Sequence, residues 1–514
     1  MAGPEESLGR FHRTVEIKQF STLAVEQALD LRPPSLTRRS EALQQLRNIE
    51  QHVTALGCQS FAIERRYTDR DYIEDHSAFY SRNLFSYVNF CDRIHFFTAP
   101  VEKIRGSFNG LVAAAAGGAE HFNKYCGSFS DAYLGFSVLK PLEGCPVGRT
   151  VLRPFPVEND GIRFTCVRQN IVHVGGAELV VSGVPFQQQD LAVSACATTA
   201  LWSALDRLQH FESVSPATPA QITSLASRFT LPFGRSMPSE GLSIDQMCQA
   251  TQALGAAPNL IRAENFIPAR QCLYSSLISG FSPILLINQD HRRWHAITAT
   301  GLKTRPHQPN DIGSGIDDCS GDLEAVYVHD DRYGPYLEAT ISQREGKLSL
   351  TIKTGAAATA TREEWELGYI LIPLHPKIRL AFSGLGQVAA RIVGRLHAHR
   401  AKAASDREEP DSVPLILTET RVMKAHRYIN ERLLETPQIS AAQLQKLAEN
   451  LSLSRYVGAI RLSGPEIDRL DILVDTTGPW PNAHCLAIVP VPPTGAARLV
   501  ALLLGKLFQC DVVA

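Results

Sequence analysis

Residues 185–202 read PFQQQDLAVSACATTALW, and this stretch decides how the centre of the chain is built. Three glutamines and an acidic residue lead through small apolar residues to Cys196. The residues that follow Cys196 carry apolar side chains at helical spacing: Ala200, Leu201, Ala204, Leu205 and Leu208. We therefore predict a helix with a thiol at its N-terminus, where the partial positive charge of the helix favours the thiolate.

Length and composition limit the class of protein. The chain has 514 residues, of which 44% are hydrophobic and 20% are charged, and its net charge is -1. This length predicts two or three domains. The near-neutral charge gives no electrostatic reason to expect nucleic acid or an anionic membrane as a partner. The 11 cysteines form no CxxC pair, which is typical of reduced thiols in the cytoplasm. No apolar run approaches the length of a membrane span.

Changes in sequence texture predict four regions. Residues 1–60 form an N-terminal helical segment, and residues 61–184 form a β-rich region of short strands separated by Gly and Pro. Residues 185–376 combine helices with apolar strands, and residues 377–514 form a C-terminal region of mixed α/β character. The predicted fold class is therefore α+β.

Within residues 185–376, one further helix and three strands have clear sequence signals. The segment GLSIDQMCQATQALG (241–255) predicts a helix with Ser243 at the N-cap and Gly255 as the stop. SPILLIN (282–288), WHAITATGL (294–302) and EAVYVHDD (324–331) predict strands. We expect the helix that carries Cys196 to pack on an antiparallel sheet that contains these strands.

A catalytic thiol requires a base, and the base requires a group that orients it. His295, on WHAITATGL, is the candidate base. Asp330 and Asp331, at the end of EAVYVHDD, are both candidates for orienting the imidazole. The thiol, the imidazole and one carboxylate are predicted to lie in contact.

An oxyanion formed during acyl transfer also needs hydrogen-bond donors. The backbone N–H of Cys196 can supply one donor, and a side-chain amide upstream of the thiol can supply another. Gln189, Gln188 and Gln187 are all candidates on position alone. The glutamines and the thiol are therefore interpreted as parts of one site.

The order Gln, Cys, His, Asp in these contexts resembles the papain-like cysteine peptidases. In layout it is most similar to the bacterial double-glycine leader peptidases of bacteriocin exporters and to their free-standing relatives. The resemblance covers about residues 185–340 and includes the GLSIDQ helix, the HAITATG strand and the VHDDRYG segment. It implies a papain-like core over 185–376, with family roles assigned residue by residue: Cys196 as nucleophile, His295 as base, Asp330 as orienting acid and Gln189 as oxyanion donor.

Two positions remain open in this assignment. The family glutamine stands six residues before the thiol, where this chain has Asp190, whereas Gln189 stands seven before it. Gln188 therefore remains an alternative oxyanion donor. Asp331 remains an alternative to Asp330.

The resemblance implies a thiol hydrolase that cleaves a peptide or isopeptide bond in a protein or peptide substrate, through an acyl-thioester on Cys196. We expect no organic cofactor, and the cysteines and histidines show no metal-binding spacing. Two alternatives stay open: an acyltransferase or crosslinking enzyme that passes the thioester to an amine or alcohol, and a binding or scaffold protein on an inactive papain-like fold. No pattern indicates an oligomeric state.

Overall fold

The computed structural model describes residues 15–21, 36–82, 84, 86–142, 144–156, 161–189, 196–228, 241–288, 294–307, 316–354, 361–405, 416–435, 453–464, 467–478, 485–491, 495–509 and 511–512. These ranges contain both helices and largely antiparallel sheets, so the α+β class predicted from the sequence is confirmed. The described elements form an N-terminal sheet with its helices, a central barrel, and a C-terminal sheet.

The N-terminal part is a five-stranded antiparallel sheet with strand order β1-β2-β3-β4-β5. Its strands are β1 (Val15–Gln19), β2 (Ser60–Tyr67), β3 (Cys91–Phe97), β4 (Tyr133–Leu139) and β5 (Val147–Leu152). Its helices are α1 (Leu36–Ala55), α2 (Arg70–Ala78), α3 (Val101–Ala116) and α4 (Ala119–Ser130). The predicted division at residue 60 falls within this sheet, because β1 pairs with β2. The region predicted to be β-rich also holds three of these four helices.

A short connecting region follows. It contains β6 (Ile162–Arg163) and a hairpin formed by β7 (Arg168–Val174) and β8 (Ala177–Gly183). The turn of this hairpin is Gly175-Gly176, and both glycines have positive φ, the backbone region that glycine enters most easily.

The described central part contains four helices, of which the one at Cys196 and the one after Ser243 are predicted from the sequence. They are α5 (Cys196–Phe211), α6 (Pro219–Ser227), α7 (Ile244–Ala253) and α8 (Phe266–Ile278). The predicted helix is present, and its described part spans Cys196–Phe211. Ser243 caps α7 by accepting a hydrogen bond from the backbone N–H of Gln246, and the Gln246 side chain returns a bond to the backbone of Ser243. This reciprocal pair fixes the start of α7.

The central strands form a closed antiparallel barrel of six strands. They are β10 (Ile284–Asn288), β11 (Trp294–Thr304), β13 (Leu323–Asp330), β14 (Gly334–Arg344), β15 (Lys347–Thr354) and β16 (Thr361–Leu374). Each strand pairs with the next, and β10 pairs with β16 to close the barrel. Two further strands extend it: β9 (Ala257–Arg262) pairs with β16, and β6 pairs with β11.

The helix that begins at Cys196 packs against this barrel. On β10, Leu285 and Ile287 belong to the barrel core, whereas Ile284 and Leu286 pack in the cluster that contains α5. This is the alternation expected of a strand with two covered faces. The Thr298 hydroxyl on β11 donates a hydrogen bond of 3.0 Å to the carbonyl oxygen of Ala200. The barrel and α5 are therefore fixed against each other close to the start of the helix.

The C-terminal part is a six-stranded sheet with order β12-β17-β18-β19-β20-β21. Its strands are β12 (Ile316–Asp318), β17 (Ile416–Lys424), β18 (Tyr456–Gly464), β19 (Asp468–Asp475), β20 (Cys485–Val491) and β21 (Asp511–Val512). Its helices are α9 (Phe382–Ser405), α10 (Ala425–Glu435) and α11 (Gly495–Phe508). Among the described helices, none combines the length and apolar character needed to cross a membrane.

Candidate active site

Cys196 is the first residue of α5 and is half-buried. The residues after it, Ala197 to Leu201, are all buried against the barrel and the neighbouring helices α6 and α7. The apolar side chains of these first described turns hold this end of the helix in place behind the thiol. The thiol is therefore partly accessible, and apolar packing fixes the position of its helix.

His295 is the second residue of β11, and only 6% of its surface is exposed. Its Nε2 donates a hydrogen bond of 3.0 Å to Oδ1 of Asp330. The thiol of Cys196 lies beside the His295 side chain. The structure therefore brings thiol, imidazole and carboxylate into contact in the order that the sequence predicts.

Asp330 is the last residue of β13 and is fully buried. Besides the His295 ring, its Oδ1 accepts a hydrogen bond of 2.9 Å from the backbone N–H of Arg332, and its Oδ2 lies 3.4 Å from the Arg332 guanidinium. Burial alone would raise the pKa of Asp330, but the charges of His295 and Arg332 and these hydrogen bonds hold it well below its ordinary value. Asp330 is therefore ionised at neutral pH.

Asp331 also lies beside the imidazole but is bound differently. It is 4% exposed, and its Oδ1 lies 3.4 Å from Nε2 of His295. In the part of the chain that the structure describes, neither of its carboxylate oxygens accepts a hydrogen bond. Burial and the charge of Asp330 raise the pKa of Asp331 to about 7. The shorter distance and the hydrogen bond favour Asp330 as the residue that orients His295.

The electrostatics of the site favour a charged imidazole. Burial lowers the pKa of His295, but the charge of Asp330 and the hydrogen bonds to Asp330 and Cys196 raise it well above its ordinary value. An imidazolium beside a thiol stabilises the thiolate form of the sulfur. The arrangement can therefore activate a thiol for nucleophilic attack.

The three glutamines have different environments. The Gln188 side chain is 6% exposed and bonded at both ends: its Oε1 accepts from the backbone N–H of Val147 at 3.2 Å, and its Nε2 donates to the carbonyl of Gly144 at 3.0 Å. These two bonds hold the amide against the N-terminal part of the chain and leave one N–H of Nε2 for another acceptor. Gln188 therefore stays an alternative that is less favoured than the other two glutamines.

The other two glutamines remain candidates. Gln187 is 2% exposed, and its Nε2 has no hydrogen-bond partner among the described residues. Gln189 is half-buried and is the last described residue before Cys196. Asp190, which stands at the family glutamine position, lies outside the described residues, as does His291, a second histidine four residues before His295.

Sequence reasoning missed an aromatic and charged group next to the triad. The ring of Trp365, on β16, has its centre 6.1 Å from that of His295, and Cζ of Arg332 lies 5.0 Å from the Trp365 ring centre. Glu363 accepts a hydrogen bond of 3.2 Å from the Trp365 indole and one of 2.6 Å from the Tyr333 hydroxyl. The only sequence signal was a single Trp among charged residues in TREEWEL.

The same group of side chains offers ligand atoms for a cation. One atom each from His295, Asp330 and Asp331 lie within 4.8 Å of one another, and all three residues are buried. Imidazole nitrogen and carboxylate oxygen are ligands that Zn²⁺ accepts. However, the Arg332 guanidinium already places a positive charge on Asp330, which opposes a second cation there. The thiol on the other side of the imidazole has no role in such a site unless it becomes a fourth ligand.

No protein-family model matches the chain, and no curated protein is significantly similar to it. The contacts among Cys196, His295 and Asp330 therefore provide the basis for assigning a function.

Proposed function

We propose that this protein is a cysteine peptidase with a papain-like core, in which Cys196 is the nucleophile, His295 the general base and Asp330 the orienting acid. One observation supports this most directly. Three residues from distant parts of the chain lie in contact in the order thiol, imidazole, carboxylate. The resemblance to papain-like peptidases implies a helix with the thiol that packs on an antiparallel sheet with the other two residues. In this chain α5 carries the thiol and packs on an antiparallel barrel that carries His295 and Asp330.

In the proposed reaction, the thiol proton of Cys196 resides on His295 in a thiolate–imidazolium pair, and the thiolate attacks the carbonyl carbon of a peptide or isopeptide bond. The tetrahedral intermediate collapses when His295 returns the proton to the leaving amine. A water molecule then attacks the acyl-thioester with His295 as base, which releases the acid and restores the thiol. Asp330 holds the imidazole orientation and stabilises its charged form throughout.

The backbone N–H of Cys196 and one glutamine amide are the proposed oxyanion donors. Gln189 keeps the role that the resemblance implies. Gln187 is the second candidate, because a buried amide N–H without a partner costs free energy in the resting protein and is available to a developing negative charge. The hydrogen bonds of Gln188 to Val147 and Gly144 make it the least favoured of the three glutamines.

The chemical state of the cysteines agrees with a cytoplasmic location, which is part of the proposal. The ten cysteines in the described ranges are all free thiols. A thiol nucleophile also requires a reducing environment to stay active.

Alkylation with a tagged iodoacetamide tests the proposal. We expect rapid labelling of Cys196 in the parent protein and a loss of at least tenfold in its labelling rate in His295→Ala. Cys248 is a matched internal control, because it is also half-buried on a helix but burial raises its pKa. Its labelling rate should be slow and unchanged by His295→Ala. Equal labelling of Cys196 with and without the imidazole would show a merely accessible thiol and overturn the proposal.

Turnover distinguishes the remaining chemistries. Cleavage of a fluorogenic peptide library should disappear in Cys196→Ala and persist in the presence of a chelator. Loss of activity on chelation would assign the reaction to a metal held by His295, Asp330 and Asp331. With an added primary amine, a hydrolase yields mainly the free acid, whereas an acyltransferase yields mainly the amide.

A further inference from the structure

A cavity of about 260 Å³ lies between the barrel helix α5 and the C-terminal part of the chain. One wall comes from α5 and from the turn after α8, and the other comes from the end of β17, from α10 and from Tyr456. Ligand sites occur preferentially at boundaries of this kind. The cavity lies at the opposite end of α5 from Cys196, so its properties do not depend on the proposed peptidase activity.

Much of the cavity wall is apolar. Leu208 and Phe211 line it from α5, Phe281 from the turn after α8, and Val422 from β17. Drug-sized sites begin at roughly 300 Å³, and this cavity is slightly smaller. It therefore accommodates about one ring with a small substituent.

Arg207 places a positive charge in this apolar setting without a carboxylate partner. Its Nη1 donates to the carbonyl oxygens of Thr165 at 2.9 Å and Val167 at 3.4 Å, and the guanidinium lies 5.6 Å from the Phe211 ring centre. No acidic side chain forms an ion pair with it within the described ranges. Removing a cation from water without a counter-charge is unfavourable. Accordingly, burial lowers the pKa of Arg207.

The other charges that line the cavity are already paired. Lys424 lies 2.6 Å from Glu212, and Arg427 lies 2.9 Å from Glu431. Glu212, the acidic residue in the wall, also lies 2.9 Å from Arg455 and accepts a hydrogen bond from the Tyr456 hydroxyl. Glu212 is therefore paired with other residues, and although its charge partly offsets the effect of burial on the pKa of Arg207, it forms no direct ion pair with that guanidinium.

The backbone at residue 280 leaves room for the guanidinium. Gly280 has a φ of +84°, and a Cβ there would lie 3.2 Å from Cζ of Arg207. A side chain at this position would be strained and would press on the guanidinium. Glycine thus allows Arg207 to lie against the backbone at the edge of the cavity.

We propose that the cavity binds a small organic anion, with its carboxylate or phosphate group on Arg207 and its apolar body between Leu208, Phe281 and Val422. The anion supplies the direct ion pair that Arg207 does not form with any described residue. Because Arg207 belongs to α5 and Val422 to β17, the ligand contacts both the barrel helix and the C-terminal sheet. Binding therefore stabilises their contact.

Three probes of similar size test the proposal on the full chain at constant ionic strength: phenyl phosphate, phenylacetate and the neutral 2-phenylethanol. We expect at least one of the two anions to bind, measured by calorimetry and by an increase in melting temperature, and 2-phenylethanol to have no effect. Binding by both anions or by either one supports the proposed class and identifies the preferred head group. Equal binding of the neutral probe, or binding of neither anion, would overturn it.

Arg207→Met should weaken anion binding at least tenfold, since it keeps the apolar stem and removes the charge. Arg153→Met is the matched control, because the Arg153 guanidinium also donates to a backbone carbonyl, that of Ser130, but far from the cavity. This variant should bind as the parent does. If Arg207→Met fails to fold, Asn430→Trp tests the same site by filling its rim from an exposed position. Unchanged affinity in whichever of these variants folds would refute the assignment.

Discussion

Nε2 of His295 lies 3.0 Å from Oδ1 of Asp330, although the two residues are 35 positions apart in the chain. The antiparallel register of β11 and β13 accounts for this proximity. Thr298 pairs with His329, so the beginning of β11 lies beside the residues at the end of β13. The barrel therefore positions the imidazole and its carboxylate by backbone pairing, and both side chains are buried where they meet.

Replacing the two acids separately should distinguish their roles. Asp330→Asn removes the charge that stabilises the His295 imidazolium and disturbs the ring tautomer, so we expect kcat to fall by up to about 10⁴-fold, as when an orienting aspartate is lost. Asp331→Asn should lower kcat less than about tenfold, because Asp331 makes no hydrogen bond to the ring. The measurements are peptide turnover and the rate of Cys196 alkylation. A larger loss in Asp331→Asn would transfer the orienting role to Asp331.

The raised pKa of Asp331 predicts a specific pH dependence of stability. Its pKa is about 7 in the folded protein and 3.8 ordinarily, so the unfolded chain releases this proton at lower pH than the folded one does. The free energy of unfolding therefore falls as the pH rises from about 4 to about 7. Asp331→Asn cannot ionise at this position, so its free energy of unfolding should not show this decrease.

The check is the melting temperature of Asp331→Asn relative to the parent, measured from pH 4 to pH 8. The difference should move in favour of the variant as the pH rises and then become constant above about pH 7. A difference independent of pH would mean that Asp331 ionises normally in the folded protein.

Gln188→Ala should act on stability rather than on catalysis. The substitution removes two side-chain hydrogen bonds, to Val147 and Gly144, in a buried position. At about 1 kcal/mol for each bond, the free energy of unfolding should fall by about 2 kcal/mol. Denaturant unfolding measures this directly, and Cys196 alkylation should proceed at the parent rate. If Gln188→Ala instead has the stability of the parent and reduced peptide turnover, Gln188 is an oxyanion donor.

Gln189→Ala should impair catalysis and leave stability almost unchanged. Loss of one oxyanion donor lowers kcat on the order of 10²-fold, whereas removing a half-buried amide changes the melting temperature little. Gln187→Ala is the comparison, since the Gln187 amide is buried without a hydrogen-bond partner among the described residues. If kcat falls in Gln187→Ala and not in Gln189→Ala, the oxyanion donor lies two residues further from the thiol than the resemblance implies.

The sequence predicted the elements with strong local signals. The helix at Cys196, the cap at Ser243 and the strands that carry His295 and Asp330 depend on periodicity and capping within a few residues. Closure of the barrel was not predictable in this way. It depends on pairing of Ile284 with Leu371, and such long-range pairing has no local pattern.

The surroundings of the site were also hidden for a physical reason. Trp365 reaches His295 from β16, about 70 positions along the chain, so only the folded barrel reveals the contact. Similarly, Gln188 and Gln187 are neighbours in sequence, but one amide bonds to the N-terminal part of the chain and the Nε2 of the other has no partner among the described residues. Residue type and spacing alone do not distinguish the environments of these two glutamines.

Two buried histidines in the N-terminal part should make the fold sensitive to acid. Burial lowers the pKa values of His52 and His95 to about 4, against an ordinary value of 6.5. Below pH 6.5 the unfolded chain gains these protons while the folded protein does not. The free energy of unfolding therefore decreases as the pH falls from about 6.5 to about 4, by about 1.4 kcal/mol per pH unit for each histidine.

His52→Gln tests one of these contributions. The Nε2 of His52 lies 2.8 Å from the carbonyl oxygen of Arg153, and its ring stacks on Tyr336 of β14 at 5.1 Å between centres. A glutamine amide can donate to the same carbonyl but does not titrate. Loss of the ring lowers stability at pH 7. Between pH 6.5 and pH 4, however, the slope of the free energy of unfolding against pH should decrease by about 1.4 kcal/mol per pH unit, which corresponds to one proton. An unchanged slope would show that His52 has the same pKa in the folded protein as in the unfolded chain.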